Sequence, residues 1–286
     1  GPCYEVAFDD GSSITASGDP PWTVHRDSGE VTMTTLQLAA SHRNRGGQRD
    51  CRIPMPKALT LPAADLPVDP WVFGYWLGNG KMTSGEITWG DPTVPAVVAA
   101  HGAALGLPQT REESHAVSAT VLGLRTLLRK MDVLGTRRVP AEFLRGSVEQ
   151  RTALLQGLMD SDGSWNRTRR QAVFVNLNRG LAEVVYELLV SLGQRASWWE
   201  GRGEGYGKVV HQYRVAFTPR GFVPFLTSKG DEVGPVGTVK SGRRMVTSVT
   251  PAPSVPTACI KVDAPGSLFL CGRQMVPTHN TGKSPA

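Results

Sequence analysis

The middle of the chain contains one ten-residue pattern twice. Residues 71–80 read WVFGYWLGNG and residues 154–163 read LLQGLMDSDG, so each is an apolar segment with small residues inside it and a polar residue and a glycine at its end. One such segment alone is typical of an amphipathic helix that ends at a glycine cap. Two copies, each followed by the same series of elements, indicate an internal duplication and therefore one pseudo-symmetric domain.

The elements after each copy are predicted from the spacing of apolar residues. Spacings of three and four predict helices, and alternation predicts strands. After the first copy we predict a strand, a helix, a strand and a helix, at residues 85–89, 94–107, 116–122 and 124–134. After the second copy we predict a strand, a helix, a strand and a short last helix, at residues 171–176, 181–192, 209–217 and 222–226.

Both copies resemble the LAGLIDADG motif of homing endonucleases, and the resemblance covers about residues 70–230. In that family each motif is a helix, and the two helices pack side by side on small residues. Here those residues are Gly74, Gly78, Gly157 and Ser161. The close approach sets an acidic residue at the foot of each helix. The resemblance therefore implies double-stranded DNA as the partner and residues 70–235 as an endonuclease domain.

The acidic position differs between the two copies. It is Asp162 in the second copy and Asn79 in the first. In the family, the paired acids hold divalent metal over the scissile phosphates, which polarises phosphorus and activates water. The resemblance thus implies Mg²⁺ as the cofactor, with Asp162 and Asn79 as its ligands. Because an amide oxygen carries no charge, we expect DNA cleavage to be weak or absent.

Basic residues lie where the resemblance expects DNA. The formal net charge is +6, which is compatible with binding to phosphates. Three arginines fall on the turn of a hairpin that enters the major groove in the family, where phosphate contact and a solvated surface are both open interpretations. Arg137 and Arg138 lie near the expected active site. Two roles are open for each of them: binding the scissile phosphate, or capping the helix that ends near Leu134. The predicted DNA contacts are Arg138, Arg167, Arg169 and Arg170.

The residues near the carboxyl end carry a different chemistry. His279, Asn280 and Thr281 are consecutive. An Asn side-chain amide can attack its own carbonyl carbon and release the downstream residues; a neighbouring His can supply a proton, and the Thr hydroxyl is a nucleophile. A polar tail with a chance His-Asn pair is the plain alternative. The next residues, 282–284, read GKS, which is the second half of a phosphate-binding loop and suggests a junction between two proteins.

Both flanks resemble the splicing domain of inteins. Residues 4–16 predict a β-hairpin, residues 17–22 resemble intein block B, and residues 256–262 and 269–280 resemble blocks F and G. The resemblance implies a multidomain α+β protein in which an all-β Hint splicing domain carries an inserted, pseudo-symmetric αββαββα LAGLIDADG domain. The predicted boundaries are residues 1–69 and 236–280 for the splicing domain and 281–286 for a stub of the downstream host sequence, the C-extein.

Three positions indicate one intein subclass. Trp22 in block B, Cys259 in block F and Thr281 after the terminal Asn match the triplet of class 3 inteins. That class implies that the Cys259 thiolate attacks the upstream splice junction, that the branched thioester passes to Thr281, and that Asn280 then cyclises with help from His279. Trp22 is expected to pack against the thiol or to position it. Cys271 is the alternative nucleophile, although we favour a packing role for it.

Two features depart from the intein pattern. Pro20 stands where block B normally has a His. Two interpretations of the nearby His25 are open: it substitutes for the block B His, or it is an ordinary surface residue. No block A is recognisable before the first hairpin. We therefore expect an N-terminal splicing segment to be missing, and a separately supplied N-terminal fragment to be a partner in splicing.

Composition sets the remaining expectations. No apolar stretch is long enough to span a membrane, and the 4 cysteines follow no metal-binding spacing. A disulfide framework is not expected in a protein of this size that needs a free thiol, so a reducing bacterial cytosol is expected, with phage origin left open. The phosphate-loop stub implies flanking exteins of a P-loop NTPase, either a phage terminase or a replicative helicase. Two other functions stay open: a free-standing LAGLIDADG nuclease or DNA-binding protein without autoprocessing, and a binding module in which both activities have decayed.

Overall fold

The structure is a computed structural model that describes residues 2–42, 46–110, 116–205, 208–238, 242–254, 260, 262–263 and 268–279. The chain divides into two compact units. The terminal unit comprises residues 1–57, 195–198 and 240–286, and the central unit comprises residues 58–194 and 199–239. Among the described residues, no helix combines the length and the apolarity needed to cross a membrane.

The regular elements are numbered in chain order. They are β1 (Cys3–Phe8), β2 (Ser13–Ser17), β3 (Pro21–Arg26), β4 (Gly29–Thr34), α1 (Thr35–Ser41), β5 (Arg52–Pro54), α2 (Pro70–Asn79), β6 (Glu86–Trp89), α3 (Val94–Ala100), β7 (Gln109–Thr110), β8 (Val117–Thr120), α4 (Leu124–Lys130), α5 (Ala141–Leu144), α6 (Val148–Asp162), β9 (Gly163–Asn166), β10 (Gln171–Asn176), α7 (Arg179–Ser191), β11 (Ala196–Gly205), β12 (Lys208–Phe217), a 3₁₀ helix (Ser228–Glu232), β13 (Arg243–Ala252), β14 (Leu268–Cys271) and β15 (Val276–His279).

The terminal unit is built from both flanks of the chain. Its six-stranded sheet has the order β2-β1-β13-β5-β3-β4. Strand β13 pairs antiparallel with β1, with Val6 opposite Val249, and also with β5. The hairpin β14-β15 forms a separate two-stranded sheet. The flanks therefore share one core, whose buried members include Val6, Phe8, Trp22, Val24, Leu38, Ile53, Val246 and Val276.

One ion pair is completely buried in the terminal unit. Arg244 Nε donates to Asp10 Oδ2 over 2.7 Å, and the two side chains are 0% and 1% exposed. The other carboxylate oxygen of Asp10 accepts from the backbone and hydroxyl of Ser12. Within the described part of the chain, Nη1 and Nη2 of Arg244 have no hydrogen-bond partner.

The central unit is organised around α2 and α6. Asp69 caps α2 by accepting from Val72 N, and Pro70 starts the helix, where a missing N–H costs nothing. A capping box between Ser147 and Gln150 starts α6. Two separate sheets accompany these helices, one of order β6-β8-β7 and the other of order β11-β12-β10-β9. The described repeats therefore share the motif helix and the helix that follows it, but they differ in strand number and in their last helix.

Three predicted elements end or lie elsewhere than expected. The helix predicted for 94–107 ends at Ala100, because Gly102 adopts a left-handed φ of +71°. The helix predicted for 124–134 ends at Lys130, close to Asp132, whose φ is +55°. The helix predicted for 222–226 is absent, and a 3₁₀ helix follows at Ser228–Glu232 instead. In the first repeat, only an isolated bridge between Gly80 and Ile87 stands where the second repeat has the β9-β10 hairpin.

Candidate functional site

The two motif helices touch through their glycines, as the sequence predicts. A methyl group on Gly74 would lie closer than 3.0 Å to Leu154 O, and one on Gly157 would lie closer than 3.0 Å to Trp71 O. A methyl on Gly78 would overlap the Ser161 side chain in the same way. The backbones of α2 and α6 are therefore in direct contact, and the ends of the two helices lie side by side.

The candidate metal ligands stand at these helix ends. Asp162 Oδ2 accepts from Asn176 Nδ2 over 2.8 Å, and it would lie 2.9 Å from a methyl on Gly78. Asn79 ends α2, and its Nδ2 lies 3.4 Å from the Tyr75 hydroxyl. Burial raises the pKa of Asp162, an effect that the charges of Arg137 and Lys229 and the Asn176 hydrogen bond oppose. The site thus holds one carboxylate whose protonated form is favoured by burial.

Each motif helix ends against a basic side chain. The Arg137 guanidinium donates to the carbonyl oxygens of Leu77, Gly78 and Gly80 at the end of α2. Lys229 Nζ donates over 2.7 and 2.9 Å to the main-chain carbonyl oxygens of Asp160 and Gly163. These two positions are equivalent to Leu77 and Gly80 in the first motif. Burial lowers the pKa of Lys229. The two cations satisfy helix-end carbonyls, and their charges favour ionisation of Asp162.

Lys229 was not predicted from the sequence. A basic residue that follows the last strand of each repeat is the signal that could have identified it, since Arg137 holds that position in the first repeat. Arg138 was predicted to contact DNA, but its guanidinium donates to Met131 O, beside the end of α4. Arg137 is the arginine at the foot of the motif helices, and DNA contact by Arg138 stays a prediction.

The other three predicted DNA-binding arginines lie on one turn. Residues 167–170 connect β9 to β10 and are exposed, as the sequence predicts for this hairpin. Arg167 pairs with Glu232 over 3.2 Å, and Asn166 accepts from the backbone of Arg169. Arg170 adopts a left-handed φ of +51°. Their exposure leaves them accessible to phosphates.

At the helix ends the candidate donors are the Asp162 carboxylate and the Asn79 amide oxygen, and their binding of a divalent ion stays a prediction. Within the described ranges, no group of three or more His, Cys, Asp and Glu side chains could hold a metal. Mg²⁺ is commonly bound by one or two carboxylates together with substrate phosphates and water. Asp162, with the amide oxygen of Asn79, meets the lower limit of that requirement.

A second candidate site lies in the terminal unit. Thr23 Oγ1 on β3 and His279 Nε2 on β15 are 2.6 Å apart, in a hydrogen bond that joins residues 256 positions apart. Trp22, the neighbour of Thr23, is 1% exposed and donates its indole N–H to Thr35 Oγ1 over 2.9 Å. Trp22 thus has a structural role in the core, and its predicted effect on a thiol stays a prediction. Cys259, Asn280 and Thr281 lie outside the described residues.

Three more positions singled out in the sequence, Pro20, His25 and Cys271, lie in this unit, together with Cys3 and Cys51. Pro20 precedes β3, and His25 Nε2 lies 3.4 Å from Glu30 at a partly exposed position on β3. Cys3 and Cys51 are buried, and Cys271 is half-buried on β14. Burial raises the pKa of the Cys51 and Cys271 thiols, which disfavours their nucleophilic thiolate forms.

The chain is similar to a known domain family over part of its central unit and to a curated protein over nearly its whole length. Residues 149–218 match the sequence model of the LAGLIDADG-like domain and therefore form such a domain. The chain is 32% identical to the replicative DNA helicase DnaB of Mycobacterium intracellulare over 310 aligned positions, which include 98% of this chain and 50% of that protein. The chain thus spans half the length of this curated relative.

Among solved structures, similar chains include mesophilic variants of the homing endonuclease I-DmoI. One of these is 15% identical, with a TM-score of 0.36, and the match covers 53% of this chain and 88% of that one. An I-DmoI complex with DNA and Mn has a TM-score of 0.32 at 15% identity, covering 52% and 89% of the two chains. The N-terminal LAGLIDADG domain of DUF199/WhiA is 11% identical, with a TM-score of 0.36, and the match covers 58% and 84%.

Proposed function

We propose that the chain is an intein whose terminal unit splices protein and whose central unit binds double-stranded DNA. The observation that carries the splicing proposal is the Thr23–His279 hydrogen bond. It joins an N-terminal strand to the residue that directly precedes Asn280. Pairing of β1 with β13 supports the same arrangement, because a splicing domain must bring both flanks of the chain together.

The chemistry proposed for the terminal unit proceeds in three steps. The Cys259 thiolate attacks the carbonyl carbon at the upstream junction, forming a thioester and releasing the amine. The Thr281 hydroxyl attacks that thioester, so that the upstream segment becomes an ester of Thr281 and the thiol is regained. Asn280 Nδ2 then bonds to its own carbonyl carbon, the bond to Thr281 N breaks, and His279 assists the proton transfer to that nitrogen. After these three steps the freed Thr281 amine attacks the ester carbonyl, which leaves a normal peptide bond and the free Thr281 hydroxyl.

The similarity to DnaB over nearly the whole chain favours a replicative helicase over a phage terminase as the host. The proposed partners are the flanking exteins of that helicase. The proposed location is the bacterial cytosol.

For the central unit we propose binding to the uninterrupted phosphate-loop coding sequence of the host gene, because homing copies the element into that site. Asp162 and Asn79 would hold Mg²⁺, which when bound polarises the scissile phosphate. Asn176 orients the Asp162 carboxylate, and Arg137 and Lys229 fix the helix ends that carry the ligands. Arg167, Arg169 and Arg170 would contact phosphates from the β9-β10 turn.

Incubation of the purified chain should release residues 281–286, and Asn280→Ala should abolish that release. The alanine lacks the nucleophilic amide, so no ring can close. Intact mass spectrometry over time measures both. Cys259→Ala is the matched control: it should retain release of the stub, because Asn cyclisation does not need the thiol. Release that continues in Asn280→Ala would contradict the proposal.

Asn79→Asp should raise Mg²⁺-dependent cleavage of a plasmid carrying the uninterrupted coding sequence by about ten-fold or more. A second carboxylate adds charge to the metal site, and ~1.4 kcal/mol off the barrier gives a ten-fold change in rate. Asn79→Ala, which removes the amide ligand, is the control and should cleave no faster than the wild type. An Asn79→Asp variant that binds the plasmid but cuts it no faster would show that the missing carboxylate does not limit cleavage.

A further inference from the structure

One hydrogen bond connects the central part of β3 with the end of β15. Thr23 Oγ1 and His279 Nε2 are 2.6 Å apart, and both side chains are partly buried. Which atom donates depends on the His tautomer. A contact this short between a hydroxyl and a ring nitrogen fixes which edge of the imidazole faces β3.

Both partners are held by buried neighbours. Trp22 and Val24, on either side of Thr23, are 1% and 0% exposed. On β15, Val276 and Thr278 are 0% and 7% exposed, and Val276 belongs to the same core cluster as Trp22. Pairing of His279 with Leu268 on β14 fixes the register of the strand. Since Thr is β-branched, its side chain also has few rotamers. The hydroxyl is therefore pre-positioned.

The bond divides the two ring nitrogens between two roles. Nε2 is engaged by Thr23, so in the proposed chemistry the nitrogen assigned to the Asn280–Thr281 peptide bond is Nδ1. Nδ1 is also the ring nitrogen closer to its own main chain. The tautomer and orientation of a catalytic imidazole are set by the hydrogen bond made by its other nitrogen.

We propose that Thr23 is a positioning residue for Asn280 cyclisation, which it serves by orienting the His279 ring so that Nδ1 transfers the proton. The inference rests on the proposed splicing function. In the step, Asn280 Nδ2 bonds to its own carbonyl carbon, the bond from that carbon to Thr281 N breaks, Nδ2 loses one proton and Thr281 N gains one. Nδ1 of His279 delivers a proton to the leaving nitrogen, and the ring is reprotonated by the proton lost from Nδ2.

The test compares release of residues 281–286 from full-length variants by intact mass. Thr23→Val and Thr23→Ala should slow release by about ten-fold, in keeping with the loss of one hydrogen bond. Thr23→Ser should restore a rate close to the wild type, because it keeps the hydroxyl. Thr32→Val is the matched control: Thr32 pairs with Thr23 from β4 and is exposed, and its substitution should leave the rate unchanged.

A double-variant cycle separates positioning from a structural role. In a His279→Ala background, followed over long incubations, Thr23→Val should change the residual rate by less than about two-fold. A further ten-fold loss there, wild-type release from Thr23→Val, or a Thr23→Ser variant as slow as Thr23→Ala would each overturn the inference. Failure of the unmodified chain to release the stub would instead overturn the splicing function itself.

Discussion

Gly157→Ala should destabilise the central unit by about 3 kcal/mol, although alanine normally stabilises a helix relative to glycine. The new methyl would lie closer than 3.0 Å to Trp71 O and Tyr75 N, which are backbone atoms of α2. Neither atom can move without displacing the helix, so the contact between α2 and α6 must open. Urea unfolding followed by tryptophan fluorescence measures the loss, since Trp71 and Trp76 are buried on α2.

Gly180→Ala is the matched control for this change. Gly180 is exposed in the first turn of α7, and its added methyl would meet only Asn178 Oδ1, at 3.3 Å. We expect a change of at most about 1 kcal/mol, in the stabilising direction. Equal urea midpoints for Gly157→Ala and Gly180→Ala would show that the two motif helices are not in backbone contact.

Asp10→Ala should destabilise the terminal unit by about 3 to 5 kcal/mol, because it leaves the Arg244 guanidinium buried without a counter-charge. Both side chains are at most 1% exposed, so water cannot replace the carboxylate. Nη1 and Nη2 of Arg244 already lack partners among the described residues, which raises the cost of losing the remaining bond. Denaturant unfolding of the purified chain measures the effect.

Asp27→Ala removes a carboxylate from the same unit and serves as the control. Asp27 pairs with Arg52 over 2.7 Å but is 71% exposed, so its loss should cost about 1 kcal/mol or less. The double variant Asp10→Leu with Arg244→Met should recover most of the stability, because it removes both buried charges together. If Asp10→Ala were no more destabilising than Asp27→Ala, the pair would not be buried in solution.

The motif helices could be predicted from the sequence because their determinants are local. Apolar periodicity predicts α2 and α6, and the small residues within each segment predict which faces meet. The end of the second repeat could not be predicted in this way. The backbone N–H groups of Leu226 and Thr227 donate to the buried Asp160 carboxylate, so they are unavailable to the helix predicted for 222–226. That carboxylate also accepts from the Trp71 indole, a contact made across 89 residues.

In the candidate sites, too, some residues can be predicted from local sequence, whereas others depend on the tertiary fold. Asp162 and Asn79 follow from the motif, whereas Lys229 reaches the helix end only through the tertiary fold. His279 is identified by its neighbour Asn280, but its hydrogen bond to Thr23 depends on how β15 packs beside β3. Trp22 was assigned to the splicing chemistry from the motif alone. Its burial and its bond to Thr35 reveal a structural role that the sequence pattern does not contain.

The position of β13 has a consequence for synthesis on the ribosome. Strand β1 ends at Phe8, and β13, which pairs with the edge of β1 that β2 leaves open, begins at Arg243. At roughly 5 to 20 residues per second, the first hairpin waits on the order of 10 to 50 seconds for its neighbour to be translated. During that time its unpaired edge is exposed to other nascent chains. The central unit has its whole sequence available earlier, so its folding is expected to precede closure of the six-stranded sheet.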